Sequence, residues 1–263
     1  MTILDKIIKT KHEDVALAKL LYPIKELEKT AIFNRSPYSI SQSISLKKEP
    51  AIISEFKRKS PSKPIINLHA TNAIVVEYEK AGASAVSILT DKDYFGGSND
   101  DVISIREKVG IPILRKEFIV DEYQIIEAKS IGADFILLIA EVLTKQEIIS
   151  FTDLAHSLGM EVLMEMHDEI QIDKLFHKIN LVGINNRNLK TFETSIENSF
   201  RILPLLPKEM IKVSESGIYT EDQVLSLYEA GFDAFLIGEN FMKQEDPGQA
   251  LREFRSNLIK QLA

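Results

Sequence analysis

Short apolar runs recur through most of this chain, separated by polar stretches with helical spacing. From residue 51 they read AIISEFK (51), AVSILT (85), PILRKEF (112), FILLIA (135), EVLMEM (161), LVGINN (181), MIKVSES (210) and AFLIGE (234). Each is rich in β-branched or aromatic residues and bounded by turn formers, which predicts strands. Helical segments with capping signals lie between them. Asp121 opens DEYQIIEAKS, Thr144 opens TKQEIISFTDLAHS and Thr220 opens TEDQVLSLYEA. The returns into strand share a pattern, with Gly82, Gly132 and Gly231 where a helix C-cap takes positive φ. This is a βα repeat with a period of roughly 20–35 residues.

Strands alternating with helices, eight times over, predict an α/β protein with a closed (β/α)8 (TIM) barrel. An open doubly wound sheet is the rival; the count and the lack of GxGxxG after the first strand favour the barrel. Ahead of the repeat, residues 1–22 predict a helix with Ile3, Leu4, Ile7, Ile8, Val15, Ala18 and Leu21 on one stripe, ended by Pro23. Residues 23–50 are mixed and read as a short helix followed by loop. The expected layout is one unit, with an N-terminal helical extension over 1–50 and the barrel over 51–263, closed by a helix in DPGQALREFRSNLIKQL.

At 263 residues, 44% hydrophobic and 27% charged, the composition is that of a globular protein, and the net charge of −7 argues against a nucleic-acid surface. It leaves room for a small basic pocket facing an anionic metabolite. There is no Cys, so disulfides and thiolate chemistry are excluded. The N-terminus lacks the apolar core of a signal peptide, and FILLIA at 135–140 is too short to span a bilayer. A cytoplasmic protein without a membrane partner is expected. The histidines form no metal-ligand spacing.

In a barrel the C-terminal strand ends and the loops after them carry the chemistry. Glu55, Lys57 and Lys59 alternate at the end of the first strand and so project together. The third strand adds Arg115, Lys116 and Glu117, the fifth Glu165, the sixth Asn185 and Arg187, and the seventh Glu215 and Ser216. Burying charge costs several kcal/mol unless it is paired, so this convergence suits a site better than packing. Spacing alone leaves open whether Lys116 faces outward and whether Glu165 is an idle rim carboxylate. Arg115 is expected on the outer face, paired with a helix, and Glu117 in a structural role. His167 reads as a solvated loop histidine. Gly217 after the seventh strand and Gly238 after the eighth stand where many barrels hold phosphate on backbone N–H groups, with ENFM at 239–242 as a short extra helix.

These stretches resemble the indole-3-glycerol phosphate synthase family. The matching segments are ISEFKRKSPSK (53–63), ILRKEFIVDEYQI (113–125), VLMEMHDE (162–169), VGINNRNLKTFE (182–193), VSESGI (213–218) and FLIGENFM (235–242). The resemblance implies a ring closure of 1-(2-carboxyphenylamino)-1-deoxyribulose 5-phosphate, with loss of CO2 and water, to indole-3-glycerol phosphate. It implies Lys116 as general acid, Glu165 as acid/base in dehydration, and Lys57 on the carboxylate. Glu55, Asn185, Glu215 and Ser216 orient and tune these groups. Arg187 helps hold the carboxylate end. Ser60, Gly217, Gly238 and Glu239 line the phosphate site, and Pro61, Phe95, Phe118, Leu137 and Leu189 form the apolar wall.

The partner implied is one small sugar-phosphate substrate. No pyridoxal, flavin or metal is implied, because the aromatic ring itself takes the electrons. The sequence sets no oligomeric state, and a monomer fits. Glu239 departs from family members that carry a small hydroxyl residue there; its side chain is expected to turn away from the phosphate. A sugar-phosphate isomerase or a non-catalytic binding barrel are the rival functions. Neither needs Lys57 and Arg187 on a second carboxylate together with the Lys116–Glu165 pair.

Overall fold

The computed structural model describes residues 2–188 and 192–262. Among them, eight parallel strands close into a barrel in chain order. They are β1 (Ala51–Phe56), β2 (Ala85–Leu89), β3 (Ile113–Lys116), β4 (Phe135–Ile139), β5 (Glu161–Met166), β6 (Leu181–Asn185), β7 (Ile211–Glu215) and β8 (Ala234–Ile237). The ring closes where Ala51 pairs with Ala234 and Ser54 with Ile237. Every apolar run singled out in the sequence is a strand of this barrel. The helix starts are equally legible: Asp121 accepts from the Tyr123 N–H, and Thr144 and Thr220 form capping boxes with Glu147 and Gln223. Such caps each stabilise by about 1 kcal/mol.

One connection departs from the helical expectation. Between β5 and β6 the chain forms a 3-10 helix, Glu169–Lys174, with Gln171 buried. Conversely, β2 is followed by an extra short helix, Lys92–Phe95, capped by Asp91.

Alternation along the strands divides the core. Ile53, Leu114, Phe135, Leu137, Leu163, Leu181, Val213 and Leu236 pack inside the barrel, while Ile52, Val86, Ile136, Val162, Val182 and Phe235 pack against the helices. The segment before β1 covers both ends. At the bottom, the helix Ile40–Ser45 inserts Ile40 and Ile44 among the strand starts, and Ser39 and Ser41 hold Glu161. At the top, the helix Ile3–Leu21 crosses the mouth, with Ile3, Leu4 and Ile7 facing the cavity. Its stripe is not wholly apolar. Ile7, Lys11 and Val15 are buried, whereas Leu21 at the helix end is 60% exposed. Among the described residues no helix is long and apolar enough to cross a membrane.

Candidate active site

The same alternation that aims Leu114, Leu163 and Val213 inward aims Lys116, Glu165 and Glu215 inward one step later, at the strand ends. There the ring stops being apolar. Lys116 Nζ lies 3.1 Å from Glu165 Oε2 and 2.5 Å from Glu215 Oε2, and all three side chains are buried or nearly so. Lys57 Nζ lies 2.5 Å from Glu55 Oε1. Asn185 hydrogen-bonds the Glu165 carboxylate and accepts the Arg187 N–H at 3.0 Å. Two glycines, Gly183 in β6 and Gly238 just after β8, make room for the carboxylates: a Cβ on Gly183 would stand 2.2 Å from Glu215 Oε1, and one on Gly238 2.4 Å from Glu55 Oε1. These are close approaches that only a missing side chain permits.

Burial and charge split the three titratable groups. For Lys116, desolvation favours the neutral amine, but Glu215, Glu165 and Glu55 outweigh it and hold the ammonium well above its usual value. For Glu165, burial works upward, yet Lys116, His167 and Asn185 pull it down to about 2. Burial pushes Glu215 up, Lys116 opposes, Glu165 pushes the same way, and the result is about 8. Two carboxylates around one ammonium thus divide the work: Glu165 is held ionised, and Glu215 is pushed toward its protonated form. Glu215 Oε1 is buried without a hydrogen-bond partner, in keeping with an uncharged carboxyl.

Further round the mouth, Ser216 and Gly217 are both left-handed, at φ +67° and +72°. That conformation costs a non-glycine residue about 1–2 kcal/mol. Asn186 holds it in place. Its amide donates to Ser214 Oγ at 3.0 Å and to the Ser216 carbonyl at 3.1 Å, while its oxygen accepts from the Ser199 N–H and hydroxyl. Gly217, Gly238, Ser60 and Ser62 border this end of the cavity. Across from it, Phe95 and Phe118 stand 6.0 Å apart between centroids, and with Pro61 and Leu137 form an apolar wall.

One cavity therefore gathers Glu55, Lys57, Lys116, Glu165, Asn185, Glu215, Ser216, Ser60, Pro61, Phe95, Phe118, Leu137, Arg187, Gly217, Gly238 and Glu239. Leu189 lies outside the described residues. Lys116 and Glu165 face inward, which closes the question that spacing left open. Arg115 is on the outer face, donating to the Gln124 carbonyl and ion-paired with Glu127, as its register requires.

Three expectations are corrected. Lys59 does not join Glu55 and Lys57: β1 ends at Phe56, the chain turns, and Lys59 Nζ donates to the Asp93 carbonyl. His167 is no solvated histidine. Its side chain is 11% exposed, and Nε2 lies 3.5 Å from Glu165 Oε1 because the β5 strand end carries it inward of the 3-10 helix. Glu239 does not turn out of the mouth: its side chain is 11% exposed, ion-paired with Lys63 and 3.8 Å from Arg187 Nη2, which itself lines the cavity.

Sequence reasoning left open how the N-terminal helix docks over the active face, and it missed the fastening. Ile3, Leu4 and Ile7 sit over the cavity, and Lys11 of the same helix is 6% exposed. Its Nζ lies 3.0 Å from Asp91 and 3.2 Å from Glu117, neighbours of Phe95 and Lys116 respectively. A lysine interrupting the apolar stripe of an otherwise amphipathic helix was the available signal. Asn186, and Phe192 which also lines the cavity at φ +62°, were missed because nothing local sets them apart.

A closed (β/α)8 barrel whose strand ends converge lysines and glutamates at one mouth defines an acid–base enzyme of the barrel class. Solved structures share the fold. Thiamine phosphate pyrophosphorylase from Pyrococcus furiosus superposes with a TM-score of 0.61 at 14% identity, covering 86% of this chain and 100% of that one. KGPDC from Streptococcus mutans gives 0.64 at 13%, covering 82% and 100%. Sequence comparison is sharper. A family model described as indole-3-glycerol phosphate synthase matches residues 4–254. The indole-3-glycerol phosphate synthase of Bacteroides thetaiotaomicron is 46% identical over 254 residues, 96% of this chain and 97% of that protein. That of Campylobacter curvus is 44% identical over 258 residues, 96% and 99%. The chain belongs to the indole-3-glycerol phosphate synthase family.

Proposed function

We propose that the chain catalyses the family's ring closure, converting 1-(2-carboxyphenylamino)-1-deoxyribulose 5-phosphate to indole-3-glycerol phosphate, with the cavity residues in the following roles. The phenyl ring lies against Phe95, Phe118, Pro61 and Leu137, which hold the carboxylate-bearing ring carbon against the sugar carbonyl; such orientation is worth several kcal/mol of barrier. As that carbon attacks, negative charge gathers on the carbonyl oxygen. Lys116, kept protonated by its glutamate neighbours, donates the proton. CO2 then leaves, and its bonding pair restores the aromatic ring. Dehydration removes the new hydroxyl from one carbon and a proton from the nitrogen-bearing carbon beside it. Glu165, held ionised, takes that proton, and Lys57, the cavity ammonium that has not yet given up its proton, protonates the leaving hydroxyl.

Lys57 meets the carboxylate, with Glu55 positioning it. The phosphate is held by backbone N–H groups at Gly217 and Gly238 beside Ser60; Arg187, which the resemblance implies at the carboxylate end, stands instead beside Glu239 and Ser62 and supplies a further cation to the phosphate. Ser216 and Asn185 keep the carboxylates and the cradle in register.

The observation that carries this reading is Lys116 buried between Glu165 and Glu215, facing an aromatic wall across one cavity. The test is to incubate the purified protein with the carboxyphenylamino sugar phosphate, following indole fluorescence and CO2 release. Folded protein that yields neither would defeat it.

A further inference from the structure

The end of the cavity after β8 carries a charge arrangement that the mechanism above does not use. The Glu239 side chain is only 11% exposed, although it stands at the mouth. One of its carboxylate oxygens ion-pairs with Lys63 Nζ, and the other lies 3.8 Å from Arg187 Nη2. Arg187 also donates to Ser62 Oγ at 3.2 Å and to the Phe192 carbonyl at 3.4 Å, so its guanidinium is braced by the loops after β1 and β6. Lys63 stems from a tight turn in which Ser60 and Lys63 exchange backbone hydrogen bonds, while its own side chain is half exposed. Among the described residues, Glu239 is its one ion-pair partner.

A carboxylate beside Gly238 opposes a phosphate arriving at the same place. Yet the carboxylate is itself held by two cations, and the trio carries a net positive charge. A phosphate monoester has up to two negative charges and three acceptor oxygens, so it outcompetes a single carboxylate for the same pair of donors. We propose that Glu239 is a displaceable internal anion. Before substrate binds it keeps Lys63 and Arg187 aimed at the cradle, and the substrate phosphate then takes both cations over. Lys63 thereby becomes a substrate-binding residue, and Glu239 sets how tightly this end of the site holds a phosphate. The inference rests on the phosphate lying at Gly217 and Gly238, as assigned above.

The bland account is that Lys63 merely neutralises Glu239. A double-mutant cycle separates the two. Inorganic phosphate is the probe, measured as a competitive inhibitor of turnover and by calorimetry on the whole protein. Glu239→Gln and Glu239→Ser are each expected to tighten phosphate by about fivefold, the scale of one partly screened ion pair. Adding Lys63→Ala to Glu239→Gln is expected to reverse that gain, because the cation is then lost to the phosphate itself. If the double variant binds phosphate as tightly as Glu239→Gln, Lys63 is only a counter-ion and the proposal fails. Unchanged or weaker binding in both Glu239 variants also overturns it; using two variants guards against one that folds poorly. Failure of phosphate to compete in the unaltered protein would instead strike at the assignment of the phosphate end, which is a different result.

Discussion

At the bottom of the barrel Asp134 is fully buried and fully engaged. It is ion-paired with Arg106, accepts from Arg35 Nη2 at 2.6 Å, and takes the N–H groups of Tyr38 and Ile113 at 2.7 Å each. At the top, Glu165 and Glu215 are equally buried but crowd one ammonium, Glu215 Oε1 has no hydrogen-bond partner, and neither ring nitrogen of His167 has one. Both ends bury charge, Asp134 on the helix-facing side of the sheet and the two glutamates inside the barrel. The difference is satisfaction. A fully paired carboxylate locks the segment before β1 to the sheet and contributes to stability, whereas an under-partnered cluster holds proton affinities away from their ordinary values and keeps donors free for a ligand.

The contrast can be broken from either side. The largest effect is expected at the top: Lys116→Ala should lower kcat/KM by roughly a thousandfold or more, because both the proton donor and the charge at the carbonyl are lost. Its thermal stability should fall less than that of the Asp134 variant below, because Glu165 can take up a proton once the ammonium is gone; an equal collapse would place Lys116 on the structural side of the comparison. At the bottom, Asp134→Ala should cost about 3–5 kcal/mol in chemical denaturation, since Arg106 is left buried without its partner. Specific activity of the protein that remains folded should stay near that of the parent.

Between the two lies Lys11, a satisfied charge at the functional end. Burial would favour its neutral form, but Glu117 and Asp91 hold it protonated. Lys11→Met should release the helix that carries Ile3, Leu4 and Ile7, raising KM roughly tenfold and speeding amide exchange over residues 3–21. Unaltered exchange would mean the apolar contacts alone hold the roof.

The smallest effect is a pH slope. The folded protein binds a proton at Glu215 up to about 8, while the unfolded chain releases it near the ordinary 4.5. Stability therefore falls as pH rises through that window, and Glu215→Gln should flatten the fall. Glu165 acts oppositely: its contribution is present above the ordinary value and is lost as pH drops toward about 2. A parent protein whose stability is flat from pH 5 to 8 would contradict the proton placed on Glu215.

The strands were legible because each is a compact apolar run with its own turn signals, and the helix starts because Asp121, Thr144 and Thr220 act on their own next turn. Glu55, Lys116, Glu165 and Glu215 were legible as strand-end candidates, but spacing left open which face Lys116 takes; the period of two fixed it only once the structure showed which apolar positions point inward. Reading failed where a strand had already ended. Lys59 kept the alternation on paper, but the chain turns after Phe56. His167 and Glu239 lie just beyond strands, where direction comes from the loop and from neighbours distant in sequence, Glu165 in one case and Lys63 in the other.

What the chain determines by itself is local: which segments extend, which coil, where each helix begins, and which strand residues share a face. The tertiary structure alone decided which cation meets which carboxylate, that Lys11 fastens a roof over the mouth, and that Glu239 turns toward Arg187. Ion pairs and proton affinities depend on distances of a few ångströms between groups supplied by separate strands and loops, and in a medium that burial makes poorly screening those distances set both sign and size.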